Sequence, residues 1–207
     1  MDCAGSENKM KTPKLNITYS FPYDQLFTQL YKKKFLEKQR KEGFLYAKKL
    51  QKEWDKISDK IFKTLSDVSG LKWKKDFVVC YVVKYVPNPI SRPLTLPMSR
   101  NFIQQKTILI HELTHNLLFQ NYTRIKRMYS LTGKIYRKYE KESFNTKIHL
   151  SVHAIVKLTL EKTFGKEAKK YIKYETWFYG KNSIDYIRSW KIVEKEGPEN
   201  ILKEVIK

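Results

Sequence analysis

The stretch Ile108–Leu118 reads ILIHELTHNLL and places two histidines four residues apart within an apolar run. Its isoleucines and leucines recur at the spacing of a helix with a largely buried face. His111, Glu112 and His115 would be buried with that helix, and burying such groups without partners is costly. A bound metal ion removes this cost, so the stretch predicts a metal site built on a helix.

Residues four apart on a helix lie on the same face, so His111 and His115 present two imidazoles to one point. A zinc ion binds imidazole nitrogen at ~2.0–2.1 Å and can bridge that spacing. Glu112 is offset on the same turn, where its carboxylate can reach a zinc-bound water without becoming a ligand. We predict one zinc ion per chain, with Glu112 as the general base that passes the water proton to a leaving amine. Thr114 is expected to be a helix-surface or packing residue and not a catalytic one.

This HExxH arrangement resembles the zincin metallopeptidases. The resemblance implies a zinc-dependent endopeptidase that acts on a peptide or protein substrate. It also implies an edge strand that lies above the active-site helix and pairs with extended substrate. The third zinc ligand would come from a second helix that follows the motif.

Two histidines occupy that position, His149 and His153 in KIHLSVHAIV, and they are again four residues apart. Ala154 would permit close helix approach and favours His153 as the third ligand, but His149 remains an alternative. The other histidine would orient a ligand or, like a nearby tyrosine, stabilise the oxyanion. Glu161 is the fallback carboxylate ligand.

The motif also limits the subclass. After His115 the chain reads NLLFQNY, which lacks the HExxHxxGxxH continuation of metzincins, and the second helix lacks an obvious ExxxD of gluzincins. The region 76–165 looks most like small intracellular HExxH proteins of archaea and bacteria.

The surrounding sequence predicts an α+β fold that is mostly helical, with a small antiparallel or mixed sheet ahead of the HExxH helix. DFVVCYVVKYV (76–86) is typical of a buried strand, and Leu94–Leu96, between prolines, indicates a short edge strand. Residues 1–20 are expected to be a mobile lead. A single domain would follow over 21–207, with a helical part at 21–66, a zincin core at 76–165 and C-terminal helices at 166–207.

Local signals predict where several helices begin and end. Gly43 is expected to divide the first helical region in two, and Gly133 to break a helix over 123–142. Asn101 is the predicted cap of the HExxH helix, which would run to about Tyr122. Asn145 is the predicted cap of the following helix, which would end at Gly165.

Composition sets the cellular context. The 207 residues carry a net charge of +21, with two cysteines and four histidines. No apolar run reaches the ~18–20 residues of a membrane span, and no signal peptide or disulfide framework is evident, so we expect a cytoplasmic protein. The charge leaves an alternative open, a nucleic-acid-binding module with a structural zinc. A SprT-like protease acting on nucleic-acid-bound proteins is a further alternative, with the basic segment 31–52 as its binding helix.

Overall fold

A computed structural model describes residues 12–99, 101–125, 133–180 and 183–206. The strands are β1 (Lys14–Tyr19), β2 (Phe77–Val83), β3 (Ile90–Ser91) and β4 (Leu94–Pro97). The helices are α1 (Phe21–Leu30), α2 (Glu37–Asp55), α3 (Ser58–Ser69), α4 (Phe102–Gln120), α5 (Tyr122–Ile125), α6 (Lys134–Lys138), α7 (Phe144–Phe164), α8 (Ala168–Gly180), α9 (Ile184–Glu196) and α10 (Pro198–Ile206). The prediction of a mostly helical α+β protein is confirmed. None of the described helices has both the length and the apolar character needed to cross a bilayer.

The sheet is mixed, with the strand order β1-β2-β4-β3. β1 and β4 both pair with β2 in parallel, and β3 pairs with β4 in the antiparallel direction. The predicted strand within 76–86 is confirmed as β2. Leu94–Leu96 is a strand but not an edge, because β4 lies between β2 and β3 and its first three residues are buried. The edge next to the HExxH helix is β3 instead.

The N-terminal region differs from expectation in three ways. Residues 14–19 form β1 and are not a mobile lead, while residues 1–11 lie outside the described part. The helical region after them is three helices, and the segment 31–52 spans a connection and most of α2. Gly43 lies within α2 and does not break it. A side chain at Gly43 would meet the buried ring of Tyr19, so glycine is needed there for close packing.

Gln51 of α2 holds the free edge of β1. Its side-chain amide accepts a hydrogen bond from the Ile17 backbone N–H at 2.6 Å and donates to the Leu15 carbonyl at 3.1 Å. The inward side chains of β1, Leu15, Ile17 and Tyr19, are buried. β1 therefore belongs to the sheet and core, and the unit that builds the fold extends beyond the expected core of 76–165.

The helical half is built around α7, which packs against α3, α4, α8, α9 and α10. Most of its residues are buried, which explains why its sequence carries histidines among apolar residues and few charges. Ser143, not Asn145, caps α7, since the Ser143 hydroxyl accepts a hydrogen bond from the Thr146 N–H at 3.0 Å. The predicted end at Gly165 is confirmed. In the region 123–142, the described residues form the short helices α5 and α6, and residues 126–132 lie outside the description.

Candidate metal centre

The HExxH residues lie in the middle of α4. Asn101 caps this helix as predicted, because its side-chain oxygen accepts hydrogen bonds from the N–H groups of Ile103 and Gln104 at 3.0 and 3.1 Å. His111 and Glu112 are buried and His115 is partly buried. Thr114 is a packing residue, as expected, because its buried hydroxyl donates to the Ile110 carbonyl at 2.8 Å. The long apolar helix thus carries its polar groups into the interior.

The two imidazoles of α4 converge. The Nε2 atoms of His111 and His115 are 3.2 Å apart. Two imidazoles that bind one tetrahedral zinc at ~2.0–2.1 Å place their nitrogens ~3.3 Å apart. The spacing therefore fits a shared ion.

α7 brings His149 to the same place. Nδ1 of His149 donates to the Asn145 carbonyl at 2.8 Å, which fixes the tautomer and leaves the lone pair on Nε2. That Nε2 is buried and has no hydrogen-bond partner. The ligand atoms of His111, His115 and His149 all lie within 4.8 Å of one another, so these three residues could hold a metal ion.

His153 lies one turn deeper on α7 and belongs to a different group. Its Nδ1 is 3.0 Å from the Ser189 hydroxyl, and its ring stacks on Trp190 of α9. Its potential ligand atom lies within 4.8 Å of those of His111 and Glu175, in a second, fully buried group that could also hold an ion. The structure therefore brings all four histidines together but assigns His149 and His153 to separate groups.

Two site residues come from α8, which sequence reasoning did not connect to the motif. Glu175 Oε1 lies 2.5 Å from Nδ1 of His111, and both side chains are fully buried. Tyr179 donates a hydrogen bond of 2.7 Å to Glu112 Oε1. The only sequence signal for them is their spacing of four residues in YETWFY, which places both on one face of a helix.

Burial controls the charges in this centre. It lowers the pKa of His111 to about 3 and that of His149 to about 4, so both imidazoles are neutral and able to bind a metal. Burial also raises the pKa of Glu112 to about 8, although the Tyr179 hydrogen bond acts in the opposite direction. Neutral imidazoles and two buried carboxyl groups form a donor set with no cation of its own. A divalent ion would bind the free imidazole nitrogen and balance both carboxylates.

The centre opens into a cavity of about 420 Å³ between α4, α7 and the edge of the sheet. Glu112, His115 and His149 reach this cavity, and Ile90 and Ser91 of β3 form an opposite part of its lining. The cavity is also lined by Asn88, Pro89, Asn145, Tyr179, Ser183 and Tyr186. His153 does not line it. The edge strand β3 is hydrogen-bonded to the HExxH helix α4, because the side-chain amide of Asn116 donates to the Ser91 carbonyl at 2.6 Å.

Two further expectations concern single residues. Glu161, the fallback ligand, forms an ion pair with Lys157 and belongs to neither group of possible metal ligands. The predicted oxyanion donor was a nearby tyrosine or the spare histidine. Tyr186 of α9 occupies a suitable position, because it lines the cavity and its ring centre lies 4.0 Å from that of His149.

Comparison of the chain with models of known protein families, with curated proteins and with solved structures finds no match.

Proposed function

We propose that this protein is a zinc-dependent metallopeptidase in which His111, His115 and His149 bind one zinc ion and Glu112 is the general base. The observation that carries the proposal is the arrangement around the cavity. The imidazoles of His111, His115 and His149 converge, His115 and His149 line the cavity, and Glu112 lines it beside them without belonging to the group. The Nε2 of His149 is buried and has no hydrogen-bond partner. A catalytic zinc normally has three protein ligands and one exchangeable position, which is the composition of this group.

The choice of His149 over His153 reverses the sequence-based preference for His153. His149 has its Nδ1 occupied by a backbone carbonyl, and its side chain lines the cavity beside His115. The Nε2 of His153 is equally without a hydrogen-bond partner, but His153 does not line the cavity. The small size of Ala154, which favoured His153, is explained by burial in the helix packing. His153 is then a buried residue that supports the centre from behind, through its contacts with Ser189 and Trp190.

When bound, zinc supplies Lewis-acid chemistry: it lowers the pKa of water to ~7 and polarises a scissile carbonyl. The protein groups perform the proton transfers. Glu112 accepts the proton of the attacking water on the carboxylate oxygen that Tyr179 does not bind, and then transfers it to the leaving amine. Tyr179 fixes the rotamer of Glu112, and Tyr186 is placed to donate a hydrogen bond to the developing oxyanion.

The substrate that fits this geometry is an extended peptide. β3 forms one border of the cavity, and extended chains are recognised by pairing with the edge of a sheet. The cavity lining is uncharged apart from Glu112, with asparagine, serine and tyrosine side chains that can bind peptide groups. A peptide or protein is therefore proposed as the substrate class, in a zincin-like arrangement of edge strand and active helix.

The alternative of a purely structural zinc has less support. A structural site is normally closed by four ligands. His153, the one histidine that could complete a four-histidine site, lies in the separate group with Glu175 and away from the cavity. A closed site would also leave the buried Glu112 without a role.

The proposal is tested by comparing the parent with Glu112→Gln after loading with zinc. Both proteins should hold one zinc per chain, because Glu112 is not a ligand. Hydrolysis of an unfolded protein such as casein should fall by ~10²–10⁴-fold in the variant. Equal cleavage by both proteins would assign the activity to another site or to a contaminant. Failure of the parent to take up zinc would refute the metal centre itself.

A further inference from the structure

One surface of the protein combines apolar and basic side chains, and the exposed acidic residue nearest to it in the chain, Glu37, is paired with Arg40 at 3.8 Å. This surface consists of the exposed residues of α1 and the segment that follows it, and is called here the α1 surface: Pro22, Gln25, Leu26, Gln29, Leu30, Tyr31, Lys32, Lys33, Lys34 and Leu36. The one acidic residue of α1, Asp24, is fully buried. Its carboxylate accepts hydrogen bonds from the Tyr19 hydroxyl at 2.6 Å and the Lys84 N–H at 2.7 Å. The Asp24 carboxylate therefore accepts hydrogen bonds inside the fold and is not part of the α1 surface.

The apolar part of the α1 surface is concentrated. Leu26 and Leu30 lie one helical turn apart and are 48% and 63% exposed, and Tyr31 and Leu36 are 46% and 39% exposed. Four of the twelve large hydrophobic side chains that the described residues expose thus fall within one short segment. Single exposed leucines are ordinary, but several exposed apolar side chains in one short segment mark a surface that binds a membrane or another molecule.

The basic part of the α1 surface lies at the C-terminal end of α1. Lys32, Lys33 and Lys34 form the one run of three consecutive lysines in the sequence. Lys32 has a φ of 50° and ends α1 in the left-handed conformation, with its N–H bound to the Gln29 carbonyl at 3.0 Å. The Lys33 N–H reaches the Thr28 carbonyl at 2.8 Å. Glycine or asparagine suits that position better than lysine, so packing and backbone conformation do not explain the lysine.

We propose that the α1 surface binds the face of an anionic phospholipid bilayer. Leu26 and Leu30 would enter the boundary between head groups and acyl chains, and the three lysines would contact lipid phosphates. This is peripheral attachment and requires no membrane span. Nucleic acid is the less suitable partner, because the aliphatic pair Leu26 and Leu30 has no role against a phosphate backbone. Tyr31 is the one aromatic side chain among the residues of the α1 surface that could stack on a base, and that surface has no arginine.

The inference does not depend on the proposed peptidase activity. Helix α1 packs on the sheet through Tyr23, which contacts Tyr81 of β2, and none of the residues of the α1 surface lines the cavity at the metal centre. A protein that lacks zinc or activity can therefore still be tested for lipid binding.

The experiment uses the full chain in co-sedimentation with vesicles of phosphatidylcholine alone and of an equal mixture with phosphatidylglycerol. The parent should sediment only with the mixed vesicles. A variant with Lys32, Lys33 and Lys34 changed to Gln should bind roughly a hundredfold more weakly. The double variant Leu26→Ser/Leu30→Ser should lose at least about tenfold, because its apolar contact is removed while its charge is unchanged.

A matched control changes three exposed lysines to Gln: Lys166, which precedes α8, and Lys169 and Lys170 in its first turn. This variant has the same net charge as the first and should bind the mixed vesicles nearly as well as the parent. Equal loss in both lysine variants would show that only the overall charge matters and would overturn the proposal. Binding that is insensitive to the leucine changes would overturn it as well. So would absence of binding by the folded parent, or duplex DNA binding that the Lys32–Lys34 changes abolish while vesicle binding persists.

Discussion

Nδ1 of His111 and Oε1 of Glu175 are 2.5 Å apart, although the two residues are separated by 64 positions in the chain. Both side chains are inaccessible to solvent. A carboxylate on the outer nitrogen of a metal-binding imidazole fixes its ring orientation and increases its basicity. In the proposed zinc site Glu175 would therefore act on the metal through His111, as a positioning residue on α8.

We predict that Glu175→Gln weakens zinc binding by about 10–100-fold, because the amide keeps the shape of the side chain but loses its charge. A competition titration against a chelator of known affinity measures the change. Glu161→Gln is the matched control, since Glu161 pairs with Lys157 away from the centre and should leave zinc affinity unaltered. An unchanged zinc affinity in Glu175→Gln would show that Glu175 does not influence the metal site.

The third ligand is tested by a pair of alanine variants. His149→Ala should lose stoichiometric zinc, because it removes one of three ligands. His153→Ala should retain about one zinc per chain while its midpoint of thermal unfolding falls, since it removes the contact with Trp190 and leaves a cavity. Elemental analysis after dialysis distinguishes the two. The reverse pattern would establish His153 as the ligand.

A pH dependence is predicted at Asp185, which joins the start of α9 to the start of α7. Its carboxylate accepts hydrogen bonds from Ser143 at 2.6 Å, Thr146 at 3.1 Å and Asn145 at 3.3 Å. The Ser143 hydrogen bond, with the others, holds the pKa of Asp185 below its ordinary value. A lowered carboxyl pKa contributes stability above the unfolded-state pKa of ~3.9 that is lost as pH falls through the folded-state pKa.

Asp185→Asn should therefore lower the free energy of unfolding by about 1 kcal/mol at neutral pH, since the site is partly exposed. The difference from the parent should shrink as pH falls below ~3.9. Urea unfolding of parent and variant across this range gives the measurement. Asp67→Asn, on the exposed side of α3, serves as the control for a general loss of negative charge. A difference that is constant with pH would contradict the role given to the carboxylate.

Close packing at Gly43 gives a further prediction. An added Cβ would lie 2.3 Å from the Tyr19 ring, which is itself held by its hydrogen bond to Asp24. Gly43→Ala should destabilise the protein by ~1–3 kcal/mol through overpacking, although alanine is the better helix former. Gly180→Ala is the comparison, because its Cβ would meet only the flexible Ile187 side chain at 3.3 Å. If Gly43→Ala and the parent had the same stability in urea, this result would contradict the close contact between Gly43 of α2 and Tyr19 of β1.

The sequence was most informative where one segment carries a complete local pattern. α4 and β2 were predicted because apolar periodicity, an asparagine cap and β-branched residues act within a few neighbouring positions. Gly43 was misread because the same residue breaks a helix in one context and permits close packing in another. Glycine alone does not indicate which tertiary partner approaches it.

The rest of the centre depends on packing between distant segments. Nothing near Glu175 or Tyr179 in the chain indicates that α8 packs on α4, so their roles could not be read from sequence. The choice between His149 and His153 depends on which side of α7 faces the cavity, and this is a tertiary property. The edge strand was misassigned because prolines beside Leu94–Leu96 suggested an unpaired border, whereas β3 covers that border.

The hydrogen bonds from α8 to α4 have a consequence for biosynthesis. The ribosome delivers all four histidines before it delivers Glu175 and Tyr179. A nascent chain can therefore expose four imidazoles that are not yet oriented, and such a set accepts copper or nickel as readily as zinc. If the centre holds zinc as proposed, selection of the ion would follow the docking of α8, and the metal available in the cell at that moment would influence the maturation of the protein.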